Sequence, residues 1–503
     1  VARISEAIFF VDRGAPTGLQ SQIRETLVSG ILSGRLIPGA RLPSSRRLAS
    51  YLGIARITVT LAYQELAAQG YIEVGARRVF RISEQAPVKR VRPLETERPD
   101  RQIDWETRLK QHFGGVKPIR KPLDWHRYPY PFLYGQMDRS LFDLRGWRDC
   151  ARRALSPGDF EHMAGDFAAA DDMQLVSYIC SRTLPRRGIR AQPEEILVTL
   201  GAQNALWLAV QLILRRGTHA ACENPCHPDI FAALHHSGAK VWRVDVDRMG
   251  LPPGNLPARL DAVVVTPSHQ SPTSVRMPLE RRQHLLDEAE RRDFVILEDD
   301  YEFEMSFLAP PMPALKSIDR SGRVFYIGSF SKSLFPGLRL GYLVAPAPVI
   351  REARALRALI LRHPPGHLQR TAAYFLALGH YDAVIRRMRL AYAERHEVMA
   401  ASLAAAGLDI ASNAASGGTS FWIEGPHGTD ADRLVEELRS DGVLIESGSP
   451  FFPDPDAPCR FFRMAYSSIP ADRIAEGVRR TALALDSHLP NARTSLSARR
   501  SMS

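Results

Sequence analysis

Lys332 stands in the run Gly328-Ser329-Phe330-Ser331-Lys332-Ser333-Leu334-Phe335-Pro336-Gly337-Leu338-Arg339-Leu340-Gly341-Tyr342. Small hydroxyl residues flank it. An apolar stretch from Val324 to Ile327, read as a buried strand, precedes it. Most lysines are solvated at the surface. The neighbours of this one give it chemistry. Ser329 and Arg339 can both donate to a phosphate, the arginine through two parallel bonds. A desolvated amine beside cations loses basicity and condenses with an aldehyde. An aldehyde and a phosphate together describe pyridoxal 5′-phosphate (PLP), which also needs an anion at its pyridine nitrogen and a flat group against its ring.

The elements that must position Lys332 supply the remaining parts. Glu195 to Thr199 reads as a buried strand, and Leu200-Gly201-Ala202-Gln203-Asn204 turns into an apolar helix. The free N–H groups of Ala202 and Gln203 at that helix start can cradle a phosphate. Ala262 to Val265 is a second strand, leading to Thr266-Pro267-Ser268-His269-Gln270. Phe294 to Leu297 is a third, ending in Glu298-Asp299-Asp300-Tyr301. Asp299 is the predicted pyridinium partner, with Tyr301 near the 3-hydroxyl oxygen, although an acidic triplet is also an ordinary loop. All four sets fall at the carboxyl ends of strands, where open α/β sheets bind ligands. Strand and helix alternate from about Leu141, so an α/β layered domain is expected.

The chain has 503 residues, 45% hydrophobic and 24% charged, as in globular proteins. That length suggests several domains. No stretch approaches the roughly 18 to 20 apolar residues of a membrane span. The start has no signal-peptide pattern. Five scattered cysteines point to a reducing, cytoplasmic setting, and no second Cys/His pair accompanies Cys222 and Cys226 to make a metal site. The net charge is +11 and uneven. Residues 1–93 carry 14 Lys and Arg against 6 Asp and Glu, a net of +8 that points to a polyanionic partner.

That basic head has its own pattern. Residues 1–16 are expected to form a loosely packed arm. Ile23, Leu27 and Ile31 recur at helical spacing. A short helix capped by Ser44 ends at Gly53, and a second helix runs to Gly70, which is a helix-turn-helix. Arg56, Thr58 and Thr60 lie near the start of the second helix, where such helices meet DNA. Tyr71 to Ile82 reads as a hairpin wing with Arg77, Arg78 and Arg81. We expect a winged-helix domain over 1–84, a proline-rich linker over 85–125 with a short helix near Asp104 to Phe113, a PLP-binding α/β domain over 126–485, and a disordered tail over 486–503. The aromatic run Trp125, Tyr128, Tyr130, Phe132, Tyr134 is read as packing.

"LPSSRRLASYLGIARITVTLAYQELAAQGYIEV" resembles the winged helix of the GntR family of bacterial repressors. The resemblance implies DNA contacts by Arg46, Arg56 and Thr58. Ala55 stands where the family carries serine, and the wing lacks a glycine-rich tip, which bears on phosphate contact and wing insertion. "SFSKSLFPGLRLGY", "EDDY" and "GAQNALWLAV" resemble the fold type I aminotransferases. In that family Arg463 would grip an amino-acid carboxylate. A winged helix ahead of such a domain, with "TPSHQ" at 266–270, is similar to the MocR/GabR regulators of the GntR superfamily. In that group the residue at position 227 is a tyrosine that stacks on the cofactor. Here it is His227, an imidazole that stacks more weakly and titrates near neutral pH. The group's Pro-Thr-Gly is here Pro272-Thr273-Ser274, so a turn suited to positive φ has lost its glycine.

The resemblance implies a homodimeric, PLP-dependent regulator of a double-stranded DNA operator. An amino compound would form an external aldimine in place of Lys332, with ectoine or taurine catabolism as its source. The alternatives are an active aminotransferase with an accessory DNA-binding module, and a DNA-binding protein whose large domain only dimerises.

Overall fold

The computed structural model describes residues 3–75, 79–86, 103–114, 117–166, 168–310, 312–411 and 417–488. It divides into two compact units, residues 1–110 and 111–503. The boundary falls inside the stretch expected as linker. Residues 87–102 of that stretch, and 489–503 of the expected tail, lie outside the described residues.

The first unit is built on α1 (Leu19–Leu32), α2 (Ser45–Leu52), α3 (Arg56–Ala68) and a hairpin of β1 (Ile72–Gly75) with β2 (Val79–Ile82). The four-residue spacing of Ile23, Leu27 and Ile31 puts them on one buried face of α1. Ser44 caps α2 by accepting from the Arg47 N–H at 3.2 Å. Gly53 closes the helix with φ of 63°. The hairpin pairs Ile72 with Ile82 and Gly75 with Val79. The expected loose arm is a correction. Glu6–Ile8 forms a short 3₁₀ turn, and Phe9 is buried in the core of this unit. A single aromatic anchor is enough to order a short arm, because burying a phenyl ring is worth about 2 kcal/mol.

The second unit carries a seven-stranded sheet. In chain order its strands are β3 (Ile196–Thr199), β4 (His219–Asn224), β5 (Lys240–Asp245), β6 (Ala262–Val265), β7 (Val295–Asp299), β8 (Val324–Ser329) and β9 (Gly341–Val344). Their order across the sheet is β3-β9-β8-β7-β6-β4-β5. Only β9 runs antiparallel to its neighbours. β3, β6 and β8 are buried along their whole length, as strands covered on both faces require. Helix α4 (Gly201–Ile213) follows β3, and α5 (Pro228–His236) follows β4. A second sheet, β10 (Asp409–Ile410), β11 (Ser420–Glu424), β12 (Glu446–Ser447) and β13 (Phe461–Ala465), is ordered β10-β11-β13-β12. The final helix, Ala471–His488, passes three residues beyond the expected domain end at 485. No helix among the described residues is long and apolar enough to cross a membrane.

Candidate functional site

The carboxyl ends of β6, β7 and β8, the start of α4 and one edge of the smaller sheet enclose a cavity of about 480 Å³. Every residue predicted for the cofactor and effector lines it: Lys332, Asp299, Tyr301, Ser329, Arg339, Ala202, Gln203, His227 and Arg463. Lys121, Tyr134, Thr266, Ser271 and Ser331 line it as well.

Lys332 follows β8 by three residues and is half-buried. Its ammonium lies 4.1 Å from the centre of the Tyr134 ring. The residue after that tyrosine, Gly135, passes so close that a Cβ there would fall on the ammonium. Burial lowers the lysine to about 7, and the nearby cations of Lys121 and Arg463 add to the effect against Glu302 and Glu446. The lysine is therefore partly a free amine at neutral pH, a nucleophile and a base.

The acidic triplet at the end of β7 separates by partner. Glu298 accepts the N–H groups of Leu315 at 2.8 Å and Lys316 at 2.9 Å. Asp300 is bound by Arg187 at 2.6 Å and by the Tyr326 hydroxyl at 2.9 Å. Asp299 borders the cavity, and its Oδ1 is buried with no hydrogen-bond partner. Burial raises its carboxyl to about 7, with Asp300 and Glu223 adding to the rise and Lys332 opposing it. Side chains alternate along a strand, so only the middle acid of three turns away from the other two. The Tyr301 hydroxyl donates to the His269 carbonyl at 2.8 Å.

An anion cradle forms where α4 begins. Gly201 has φ of 80°, and a Cβ there would stand 3.0 Å from Arg339 Nη2. Arg339 donates to the Leu200 carbonyl at 3.4 Å and is otherwise open. The free N–H groups of the first helical turn and this guanidinium face one space. Ser329 Oγ accepts from the Ser331 N–H at 3.1 Å, and Ser331 Oγ is buried without a partner. Ser331 was not singled out in the sequence, although its position one residue before Lys332 was the available signal.

His227 corrects one expectation. Its Nδ1 accepts the Asp229 N–H at 3.3 Å, so it caps α5, and its ring meets Phe451 edge-on at 6.2 Å. Desolvation lowers the imidazole to about 4; Asp229 opposes this, while Arg463, Lys332 and Lys121 add to it. The ring is neutral at pH 7 and does not titrate there. The Ser274 expectation is met with a cost: the serine adopts φ of 59°, where glycine would be at ease.

Arg463 is also differently placed from a free clamp. On β13 it lies directly across from Glu446 on β12. Its Nε and Nη2 bond Glu446 Oε2 at 2.8 Å and 2.7 Å. Tyr134 covers the guanidinium at 3.9 Å. Tyr134 thus leaves the packing role read for the aromatic run, and its hydroxyl donates to Glu302 at 3.1 Å. Lys121, from the stretch expected as linker, reaches Glu446 Oε1 at 3.2 Å and donates to the Tyr134 carbonyl.

In the first unit Arg46 and Arg56 are exposed, and Thr58 is half-buried near the start of α3. Arg56 Nε donates to Ser45 Oγ at 3.4 Å. The Thr60 hydroxyl donates back to the Arg56 carbonyl at 3.0 Å, so its proton is committed to the helix. Ala55 leaves α3 without a side-chain cap. Arg77 lies outside the described residues.

Two family models match the chain. "Bacterial regulatory proteins, gntR family" covers residues 19–82, and "Aminotransferase class I and II" covers residues 169–480. The HTH-type transcriptional regulator TauR of Rhodobacter capsulatus is 52% identical over 478 residues, which is 95% of this chain and 98% of that protein. The probable rhizopine catabolism regulatory protein MocR of Rhizobium meliloti is 31% identical over 396 residues, 78% of each. Among solved structures, the α-aminoadipate aminotransferase LysN of Thermus thermophilus superposes with a TM-score of 0.68 at 26% identity, covering 76% of this chain and 99% of that one. With a gntR helix-turn-helix unit joined to an aminotransferase class I and II domain, the chain belongs to the MocR/GabR-type HTH transcriptional regulators.

Proposed function

We propose that this regulator is PLP-dependent and senses a small amino compound at Lys332, altering its hold on a double-stranded DNA operator. One observation carries the reading. A lysine held near neutrality, a carboxylate oxygen with no partner and an arginine at a helix start share one cavity. The aminotransferase class I and II domain implies PLP, and these residues fit it. When bound, PLP supplies an aldehyde for a primary amine and a ring that withdraws electrons from the condensed nitrogen. Lys332 Nζ would hold the aldehyde. Asp299, through its unpartnered oxygen, would hold the proton of the pyridine nitrogen. Arg339, Ser329, Ser331 and the N–H groups of Ala202 and Gln203 would hold the phosphate. Tyr301 would stand beside the 3-hydroxyl oxygen, and the neutral ring of His227 would cover the cofactor face. The structure of LysN, which holds an N-(5′-phosphopyridoxyl)-L-leucine, supports an amine site beside such a cofactor.

Arg46, Arg56, Thr58 and Arg77 would contact DNA. Thr60 would contribute little, since its hydroxyl proton is spent on the helix. A cytoplasmic homodimer would present two winged helices to two half-sites. Kinship with TauR favours a taurine-related effector over one from ectoine catabolism.

The test is a DNA-shift titration on the chain's own upstream region, with PLP and a panel of amino compounds. An amine that changes DNA affinity by about fivefold or more, a usual size for coupling between sites, supports the reading. Absence of DNA binding, or DNA binding blind to every amine, overturns it. The completeness of the cavity also favours a second reading, an active aminotransferase with an accessory DNA-binding module. Release of keto acid by the PLP-loaded protein at an enzymatic rate would establish that reading instead.

A further inference from the structure

We infer that Glu446 is a specificity-determining residue of the effector cavity. By occupying Arg463 it turns the cavity from α-amino acids toward primary amines whose anionic group is not on the amine-bearing carbon. The inference rests on the effector reading above and deepens it.

Glu446 and Arg463 are cross-strand partners on β12 and β13. Their side chains are withdrawn from solvent, at 0% and 2% exposure. A guanidinium grips a carboxylate through two N–H groups on one edge. Here the Nε/Nη2 edge of Arg463 is already used on Glu446 Oε2, at 2.8 Å and 2.7 Å. Tyr134 at 3.9 Å and Phe451 at 4.9 Å hold the plane in that orientation. A second carboxylate arriving at Arg463 would meet the charge of Glu446 beside it, at a pair whose side chains are themselves withdrawn from solvent. Burial works to raise the Glu446 carboxyl, but Arg463 and Lys121 outweigh it and hold it below the usual range, so the charge persists at neutral pH.

The neighbouring cation differs. Lys121 Nζ touches Glu446 Oε1 at 3.2 Å and donates to the Tyr134 carbonyl. An ammonium has three N–H groups, so one is left for a ligand. Its side chain is a quarter exposed and lines the cavity. One carboxylate between two cations leaves a single positive charge to be met. The free donor on Lys121 is where a sulfonate or a distal carboxylate would find it.

The experiment titrates the PLP-loaded, full-length protein with 2-aminoethanesulfonate (taurine), β-alanine and L-alanine, following the visible absorbance of the cofactor. It is run on wild type, Glu446→Gln and Lys121→Met. Wild type should bind taurine and β-alanine at least about tenfold more tightly than L-alanine, the scale of one charge-assisted hydrogen bond. Glu446→Gln should shift that ratio toward L-alanine by about tenfold or more. Lys121→Met should weaken taurine by a similar factor and spare L-alanine. A purely structural role for Glu446 would weaken all three amines together and leave the ratios unmoved. Equal wild-type binding of L-alanine and taurine overturns the inference, as does an unchanged ratio in a PLP-loaded Glu446→Gln. If Glu446→Gln fails to load PLP, the wild-type ratio and Lys121→Met decide. If no amine changes the absorbance of wild type, the effector reading falls first and this inference with it.

Discussion

Asp299→Asn should have opposite effects on the empty and the loaded protein. In the empty protein Asp299 carries a cost. One oxygen is buried without a partner, and burial raises its carboxyl from 3.8 to about 7. A group whose folded pKa is raised contributes stability that is fully present below its unfolded value. Here that contribution is lost as pH rises from about 4 through about 7. Each pH unit of displacement is worth about 1.4 kcal/mol. The full displacement would give about 4 kcal/mol, which we halve to about 2 kcal/mol because the residue borders the open cavity, where solvent screens it. Empty Asp299→Asn should therefore be about 2 kcal/mol more stable than empty wild type at about pH 8, and the difference should vanish below about pH 4. With PLP the order reverses. The amide cannot match a carboxylate at a protonated ring nitrogen, and a charged hydrogen bond of about 1.5–3 kcal/mol is lost, which is roughly ten- to a hundredfold in PLP affinity. Urea unfolding of the empty proteins at both pH values, together with PLP titration by fluorescence, reads both effects. If empty Asp299→Asn is less stable than wild type at the higher pH, the buried carboxylate is satisfied by a partner and the reasoning fails. If PLP affinity is unchanged, Asp299 does not face the ring nitrogen.

Three further outcomes are expected. Gly201→Ala should weaken PLP binding at least about tenfold. The new methyl group would stand 3.0 Å from Arg339 at φ of 80°, a backbone region costing a non-glycine residue about 1–2 kcal/mol, and titration with PLP checks it. Arg56→Ala should lower operator affinity and reduce the slope of log affinity against log salt by about one, measured by anisotropy across a salt series; an unchanged slope would remove Arg56 from the phosphate contacts. Ser274→Gly should stabilise the protein by about 0.5 kcal/mol in urea. It relieves the left-handed backbone at the loss of one long bond to the Ser420 carbonyl at 3.4 Å.

The residues around Lys332 were legible because their chemistry and their place in the fold agree. Buried strands announce themselves as apolar runs, and ligands gather at their carboxyl ends. That logic reached Asp299 and Arg339 without side-chain contacts. It did not reach β4, β5 or β9. β5 alternates between exposed and covered residues at the sheet edge, and β9 follows a loop already read as cofactor-holding. The order β3-β9-β8-β7-β6-β4-β5 joins strands far apart in the chain, such as β3 and β9, and local pattern does not encode such pairing. Tyr134, Lys121 and Glu446 escaped for a related reason. Each is an ordinary residue type on its own, and Lys121 sits in a proline-rich stretch whose composition reads as linker. Their role comes from meeting Arg463 in space. The arm around Phe9 failed on a smaller scale: one buried ring orders a segment whose average composition is that of a loose end.

The pairing of Lys121 also bears on how a sensor differs from an enzyme with the same cavity. A ligand moves an equilibrium only as far as its affinities for the two states differ. An effector that takes the free donor of Lys121 would share the ammonium with Glu446 and the Tyr134 carbonyl. Lys121 lies beyond the end of the first compact unit at Lys110, on the segment that Lys117 also fastens through Asp432 at 2.9 Å and the Pro455 carbonyl at 2.8 Å. The ammonium proposed for the effector's anion is thus on the stretch of chain that follows the first unit. Asp299 ends β7, and Lys332 follows the fully buried β8, so the large sheet positions both. On the proposed reading, the Lys121–Glu446 contact is where an effector's anion would act, while Lys332 would select for an amine.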